Sequence, residues 1–92
     1  MRGEEMLETI LSDKDFMYSF MPYSKYDFVY DIPNLQTIVT FAWAWKGEWK
    51  FAKFAFKDKD VNDFVRQSQL LVFVKDKIEQ GLTIIKSNGD ML

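Results

Sequence analysis

The stretch LQTIVTFAWAWKGEWKFAKFAFK, residues 35 to 57, constrains the fold more than any other part of the chain. Its first eleven residues carry no charge and are rich in β-branched and aromatic side chains, which suits a central strand. Lys46 and Gly47 can then reverse the chain, and WKFAKFAFK returns antiparallel to it. With those two residues as the turn, Ala44 faces Trp49, Ala42 faces Phe51 and Phe41 faces Ala52, so each large ring lies opposite a small neighbour. A three-residue turn would instead pair Trp45 with Trp49 and Trp43 with Phe51, and would turn one strand over relative to the other. The two-residue register is preferred because it packs. It gives one face carrying Val39, Phe41, Trp43, Trp45, Phe54 and Phe56, and another carrying Ile38, Ala42, Ala44, Trp49, Phe51 and Ala55. Both faces are apolar, so the hairpin is expected to be covered on both sides.

Helical and strand periodicities frame this hairpin. Met6, Leu7, Ile10 and Leu11, then Phe16, Met17, Phe20 and Met21, recur at helical spacing, with a capping signal at Ser12 and Asp15 and a stop at Pro22. A helix over 3–21, broken near Ser12, is expected. From Tyr26 to Ile32 the period becomes two, with Tyr26, Phe28, Tyr30 and Ile32 on one side and Asp27, Val29 and Asp31 on the other. A second helix over about 60–80 follows from Asp58 or Asp60 as cap and Gly81 as stop. Its stripe is Val61, Phe64, Val65, Ser68, Leu71, Val72 and Ile78, which leaves Leu70, Phe73 and Val74 as a second apolar surface. LLVFV also fits a buried strand between two shorter helices, and LTIIK fits a short final strand. The predicted architecture is one α+β domain over residues 1–92, a three-stranded antiparallel meander in the order αβββα(β). The double-stranded-RNA-binding domain shares that element order, but DKDVND stands where that family has a basic cluster, so the likeness ends at the order.

Composition narrows the chemistry. With no cysteine and no histidine, the chain lacks disulfides, thiolate nucleophiles, imidazole acid-base groups and the common zinc ligands. Its four glycines are isolated, so there is no phosphate-binding loop. Asp58, Asp60 and Asn62 match the first, third and fifth positions of an EF-hand loop, but Asp63 and Gln69 stand where that loop requires glycine and glutamate, and helix capping is the preferred reading of the acids. Asp27 and Asp31, on one strand face, are read as solubilising charges. No catalytic, metal or cofactor site is expected. The first twenty residues carry seven charged side chains and leave no room for a signal peptide's apolar run, and the longest uncharged run falls short of the ~20 residues of a membrane helix. A soluble, cytoplasmic protein is expected.

The surface must therefore carry the function. A domain of 92 residues buries only about 60 to 65% of its unfolded surface and is short of core. The expected role is a non-enzymatic interaction module, a homodimer acting as a modulator or inhibitor by occupying a partner's surface, with Trp43, Trp45, Trp49, Phe51, Leu70, Phe73 and Val74 as its contact residues. Four aromatic rings would supply roughly 600 to 1,000 Å² for such a contact. Charge is unevenly spread, with residues 35–57 basic and both flanks acidic. Glu4, Glu5, Glu8, Asp58, Asp60, Asp63, Asp76 and Glu79 would suit a basic, nucleic-acid-binding site on the partner. The alternative is single-stranded nucleic acid, with bases stacked on the hairpin's rings and phosphates on Lys46, Lys50, Lys53 and Lys57. Against it, the strand period sends Lys46 and Lys50 to one face and Lys53 and Lys57 to the other.

Overall fold

A computed structural model describes residues 3–20 and 25–89. Two short helices, α1 (Gly3–Ser12) and α2 (Lys14–Phe20), precede the strands β1 (Lys25–Asp31), β2 (Gln36–Trp45) and β3 (Glu48–Lys57), and two more helices follow, α3 (Asp58–Arg66) and α4 (Leu70–Ser87). The strands form one antiparallel sheet in the order β1-β2-β3, an α+β fold consistent with the predicted αβββα. The end of the predicted first helix, Met21 and Pro22, lies outside the described residues.

The hairpin takes the two-residue register. Ala44 pairs with Trp49, Ala42 with Phe51 and Phe41 with Ala52. Lys46 at φ 50° and Gly47 at φ 79° give the left-handed pair of a type I′ turn, whose twist matches that of the strands. On β1 the register sets Tyr26 against Phe41, Phe28 against Val39 and Tyr30 against Thr37, so the even residues of β1 join the odd face of β2.

All four helices contribute to one core on that single face. Leu7, Leu11 and Met17 from α1 and α2, and Val61, Leu70, Val74, Ile78 and Leu82 from α3 and α4, pack with Val39, Phe41, Trp43, Ala52, Phe54 and Phe56 of the sheet. Phe41 meets Phe54 edge to face at 5.8 Å, and Phe56 meets Phe73 in the same manner at 6.1 Å. Among the described residues the expected cover on both faces does not form. The reason lies in the connections: Asp58 opens α3 directly after Lys57 with no linker, and its N–H bonds Leu35 O at 3.0 Å, which ties α3 to the sheet end next to the β1–β2 turn.

The break expected near Ser12 forms, with a different cap, and three other features of the helices differ from expectation. The break between α1 and α2 is capped by Asp13, whose Oδ1 accepts from Phe16 N at 3.1 Å, one residue after the predicted Ser12. The second helix is divided at Gln67 to Gln69. There Gln69 N bonds Phe64 O at 2.9 Å and Ser68 N bonds Val65 O at 3.0 Å, with Ser68 at φ 54°, which is a Schellman stop built on serine. Gly81 does not end a helix but lies within α4, where a Cβ would run into the Phe54 ring. LTIIK is helix, not strand, because Leu82 and Ile85 continue the inward stripe of Leu70, Val74 and Ile78. LLVFV likewise opens α4 and forms no buried strand.

Candidate functional site

The second face of the sheet is the candidate. It is lined by Lys25, Asp27, Val29 and Asp31 of β1, by Ile38, Thr40, Ala42 and Ala44 of β2, and by Trp49, Phe51, Lys53, Ala55 and Lys57 of β3, none of them buried. No other described residue forms a layer over it. Trp49 is 54% and Phe51 64% exposed, whereas Phe41 and Phe56 on the opposite face are at 1% and 0%. The rings stand beside Ala42 and Ala44, the small cross-strand partners that leave them room.

Charge rims this apolar ground. Lys25 Nζ lies 5.4 Å from the centroid of the Trp49 ring, reaching it across the end of β2. Lys25, Tyr26, Asp27, Thr40, Ala42, Phe51 and Lys53 line a shallow depression in the middle of the face. At the far end Asp31 Oδ2 accepts from Asn34 Nδ2 at 2.8 Å and Gln36 Nε2 at 2.9 Å. These two donors hold the Asp31 carboxyl below its ordinary pKa, since they favour the charged form.

The predicted contact residues divide. Trp49 and Phe51 stand on the open face. Trp43 does not: it is buried on the helix side at 4% exposure, and its indole N–H meets no acceptor among the described residues. Trp45 is half-buried against the core with Lys46 Nζ 5.2 Å from its ring. Leu70 and Val74 are core, and Phe73 is half-buried, stacked on Phe64 at 4.2 Å. The break at Ser68 resets the phase of α4, so these three turn inward while Leu71 and Val72, predicted to face the core, are exposed. Two rings left more than half exposed offer roughly 200 to 300 Å² at ~150 to 250 Å² per aromatic side chain. That is well short of the 600 to 1,000 Å² expected from four.

The lysines also divide. Lys53 and Lys57 share the open face with Trp49 and Phe51, and Lys25 joins them from β1. Lys46 sits in the turn, and Lys50 lies on the helix side opposite Trp43, with Glu48 Oε2 at 3.8 Å. The acidic residues do not form one patch. Glu4 and Asp58 lie by the Tyr30 hydroxyl, which donates to Asp58 Oδ2 at 2.5 Å; that bond, with the surrounding carboxylates, pushes the Tyr30 pKa up to about 12. Glu5 and Glu8 line a depression on α1, and Asp76 and Glu79 one on α4. Asp60 lies in the first turn of α3, and the Asp63 carboxylate pairs with Arg66 one turn on. Among the described residues no three acidic side chains gather to hold a metal ion. No described helix is long and apolar enough to cross a membrane.

No protein-family model matches the chain, and comparisons with curated proteins and with solved structures give no match either. The site must be read from its own chemistry.

Proposed function

We propose that the chain is a small non-enzymatic interaction module whose open sheet face is covered by another protein surface, a second copy or a different target. In the cytoplasm it would modulate or inhibit that target by occupying its surface. The observation that supports this is the asymmetry of burial: every helix packs on one face, and the opposite face keeps Trp49 and Phe51 exposed side by side over alanines. Such a surface binds by removing apolar area from water, at about 25 cal/mol per Å². The acids on α1, α3 and α4 are dispersed, so competition for a nucleic-acid-binding site on the target is a lesser variant.

The test is a Trp49→Ser plus Phe51→Ser variant. It should keep the wild-type circular dichroism and melting temperature and lose the partner, or self-association, in sedimentation and capture assays. Binding of the wild-type chain should change little between low and physiological salt, since burial dominates. Retained binding by the folded double variant would overturn the proposal.

A second reading has one observation in its favour. Lys25, Lys53 and Lys57 do lie on the face that carries Trp49 and Phe51, as a single-stranded nucleic-acid groove requires. Asp27 and Asp31 lie there too, and Lys25 stands over the Trp49 ring where a base would stack. Titration of fluorescent oligonucleotides at low salt decides between the readings. No binding is expected; a salt-sensitive association lost on Lys53→Ala and Phe51→Ala would favour nucleic acid.

A further inference from the structure

The turn of the hairpin fixes which backbone groups of β3 face outward. Trp45 and Glu48 flank a two-residue turn, where the flanking pair exchanges both N–H···O bonds, and the pattern alternates along an antiparallel ladder. Glu48, Lys50, Ala52, Phe54 and Phe56 therefore direct their backbone groups to β2. Trp49, Phe51, Lys53, Ala55 and Lys57 direct theirs away from the sheet. One of these outward groups has a partner of its own: the Ala55 carbonyl accepts from Lys77 Nζ of α4.

β3 is also the less defended edge. It pairs with β2 without a bulge over ten residues, and it contains no proline. β1 is shorter, and three of its four open-face positions are charged, Lys25, Asp27 and Asp31, which is the usual protection of an edge strand. The open edge of β3 runs from Trp49, after the turn, to Lys53, before the Lys77 contact. Its centre is Phe51.

We propose that this edge pairs antiparallel with the same edge of a second copy, on a two-fold axis at Phe51, joining two sheets into one of six strands. This goes beyond the interaction reading above: the second copy takes the edge of β3 and leaves the open face for contact. The axis sets Phe51 against Phe51 of the second copy, Trp49 against Lys53 of the second copy, and Lys50 against Ala52 of the second copy. The rings then stack, and each Trp49 gains a lysine of the kind Lys25 already supplies. About six backbone hydrogen bonds close the junction. Neighbouring registers do worse. An axis at Lys50 or at Lys53 sets identical lysines opposite each other, and an axis at Ala52 sets Trp49 against Ala55, whose carbonyl Lys77 already holds. The area is small, below the ~1,200 Å² of standard interfaces, so a weak, concentration-dependent dimer is expected. Its two open faces would merge into one, bringing four exposed rings together.

Amide hydrogen exchange by NMR, run beside sedimentation from dilute to near-millimolar protein, tests this. The amides of Trp49, Phe51 and Lys53 should slow at least tenfold as the dimer forms. Phe51→Lys should stay folded by circular dichroism, sediment as a monomer and lose that slowing. A dimer in which these amides stay fast, one that slows Tyr26, Phe28 and Tyr30 of β1 instead, or a monomer throughout the range would overturn the edge pairing. A monomer that still binds another protein through Trp49 and Phe51 would remove only the edge pairing. Loss of all binding by wild-type protein would remove both.

Discussion

Phe54 and Phe56 are sealed beneath the helices, while Phe51 and Trp49, on the same strand at the opposite parity, stand more than half exposed. Both faces carry aromatic rings and β-branched side chains, but the open one also holds Lys25, Asp27, Asp31, Lys53 and Lys57, where the covered one has Tyr26, Phe28, Tyr30, Phe54 and Phe56. Their difference in exposure arises from the helices, because all four pack on one side of the sheet. The covered face is the one with more rings and fewer charges, and the apolar surface remaining on the other is left for contact.

The largest expected effect separates the two faces. Phe56→Ala should cost about 3 to 5 kcal/mol, as for other ring-to-alanine changes in a core, and Phe51→Ala about 0.5 kcal/mol or less, as for a surface substitution. Chemical denaturation of dilute protein measures both, and equal losses would break the comparison.

Next comes the fit of the helix layer on its face. In Gly81→Ala the new methyl meets the Phe54 ring, which is held against Phe41 and has little room to move. A loss of about 1 to 3 kcal/mol from overpacking should exceed the ~1 kcal/mol that alanine gains as a helix former. A more stable variant would show that the helix layer is seated loosely.

A smaller effect of opposite sign is expected at the bend between α3 and α4. Ser68 holds φ 54°, a conformation that costs a non-glycine residue about 1 to 2 kcal/mol. Ser68→Gly should therefore raise stability by up to ~1 kcal/mol and leave helix content unchanged by circular dichroism. Destabilisation would mean that the bend is not the stop that separates α3 from α4.

The smallest effect reports on the rim, where Tyr30 of β1 ties the sheet to the start of α3. Its hydroxyl should ionise near pH 12, raised chiefly by its hydrogen bond to Asp58. A raised folded pKa means that this contribution to stability is fully present below about pH 10, the unfolded value, and is lost as pH rises toward 12. Ultraviolet titration should show a step near 12 that Tyr30→Phe removes and Asp58→Asn returns toward 10. A wild-type titration without that late step would show that the rim contact does not form.

The hairpin was legible because its alternation of large rings and alanines admits one packable register, and Lys46-Gly47 suits the turn that this register needs. The relative parity of every β2 and β3 residue follows from it. Which face the helices cover was legible only in part: the hairpin carries apolar residues on both sides, and the clearest mark of the open face, the charges of Lys25, Asp27 and Asp31 on β1, needs the β1–β2 register to be read. Trp43 accordingly reads as a contact residue in the sequence although the core holds it. The inward turn of Leu70 and Val74 was hidden for another reason: neither glycine nor proline marks the stop at Ser68, so the stripe begun at Val61 was carried through a bend that resets it. Gly81 misled in the opposite direction, because its small size serves Phe54 and not a helix end.

Hydroxyl-radical footprinting of dilute, monomeric protein tests the central claim most directly. Trp49 and Phe51 should oxidise rapidly, while Trp43, Phe41 and Phe56 remain protected. Trp49 and Phe51 protected as well as Trp43 in the isolated monomer would mean that the chain covers both faces of its own sheet.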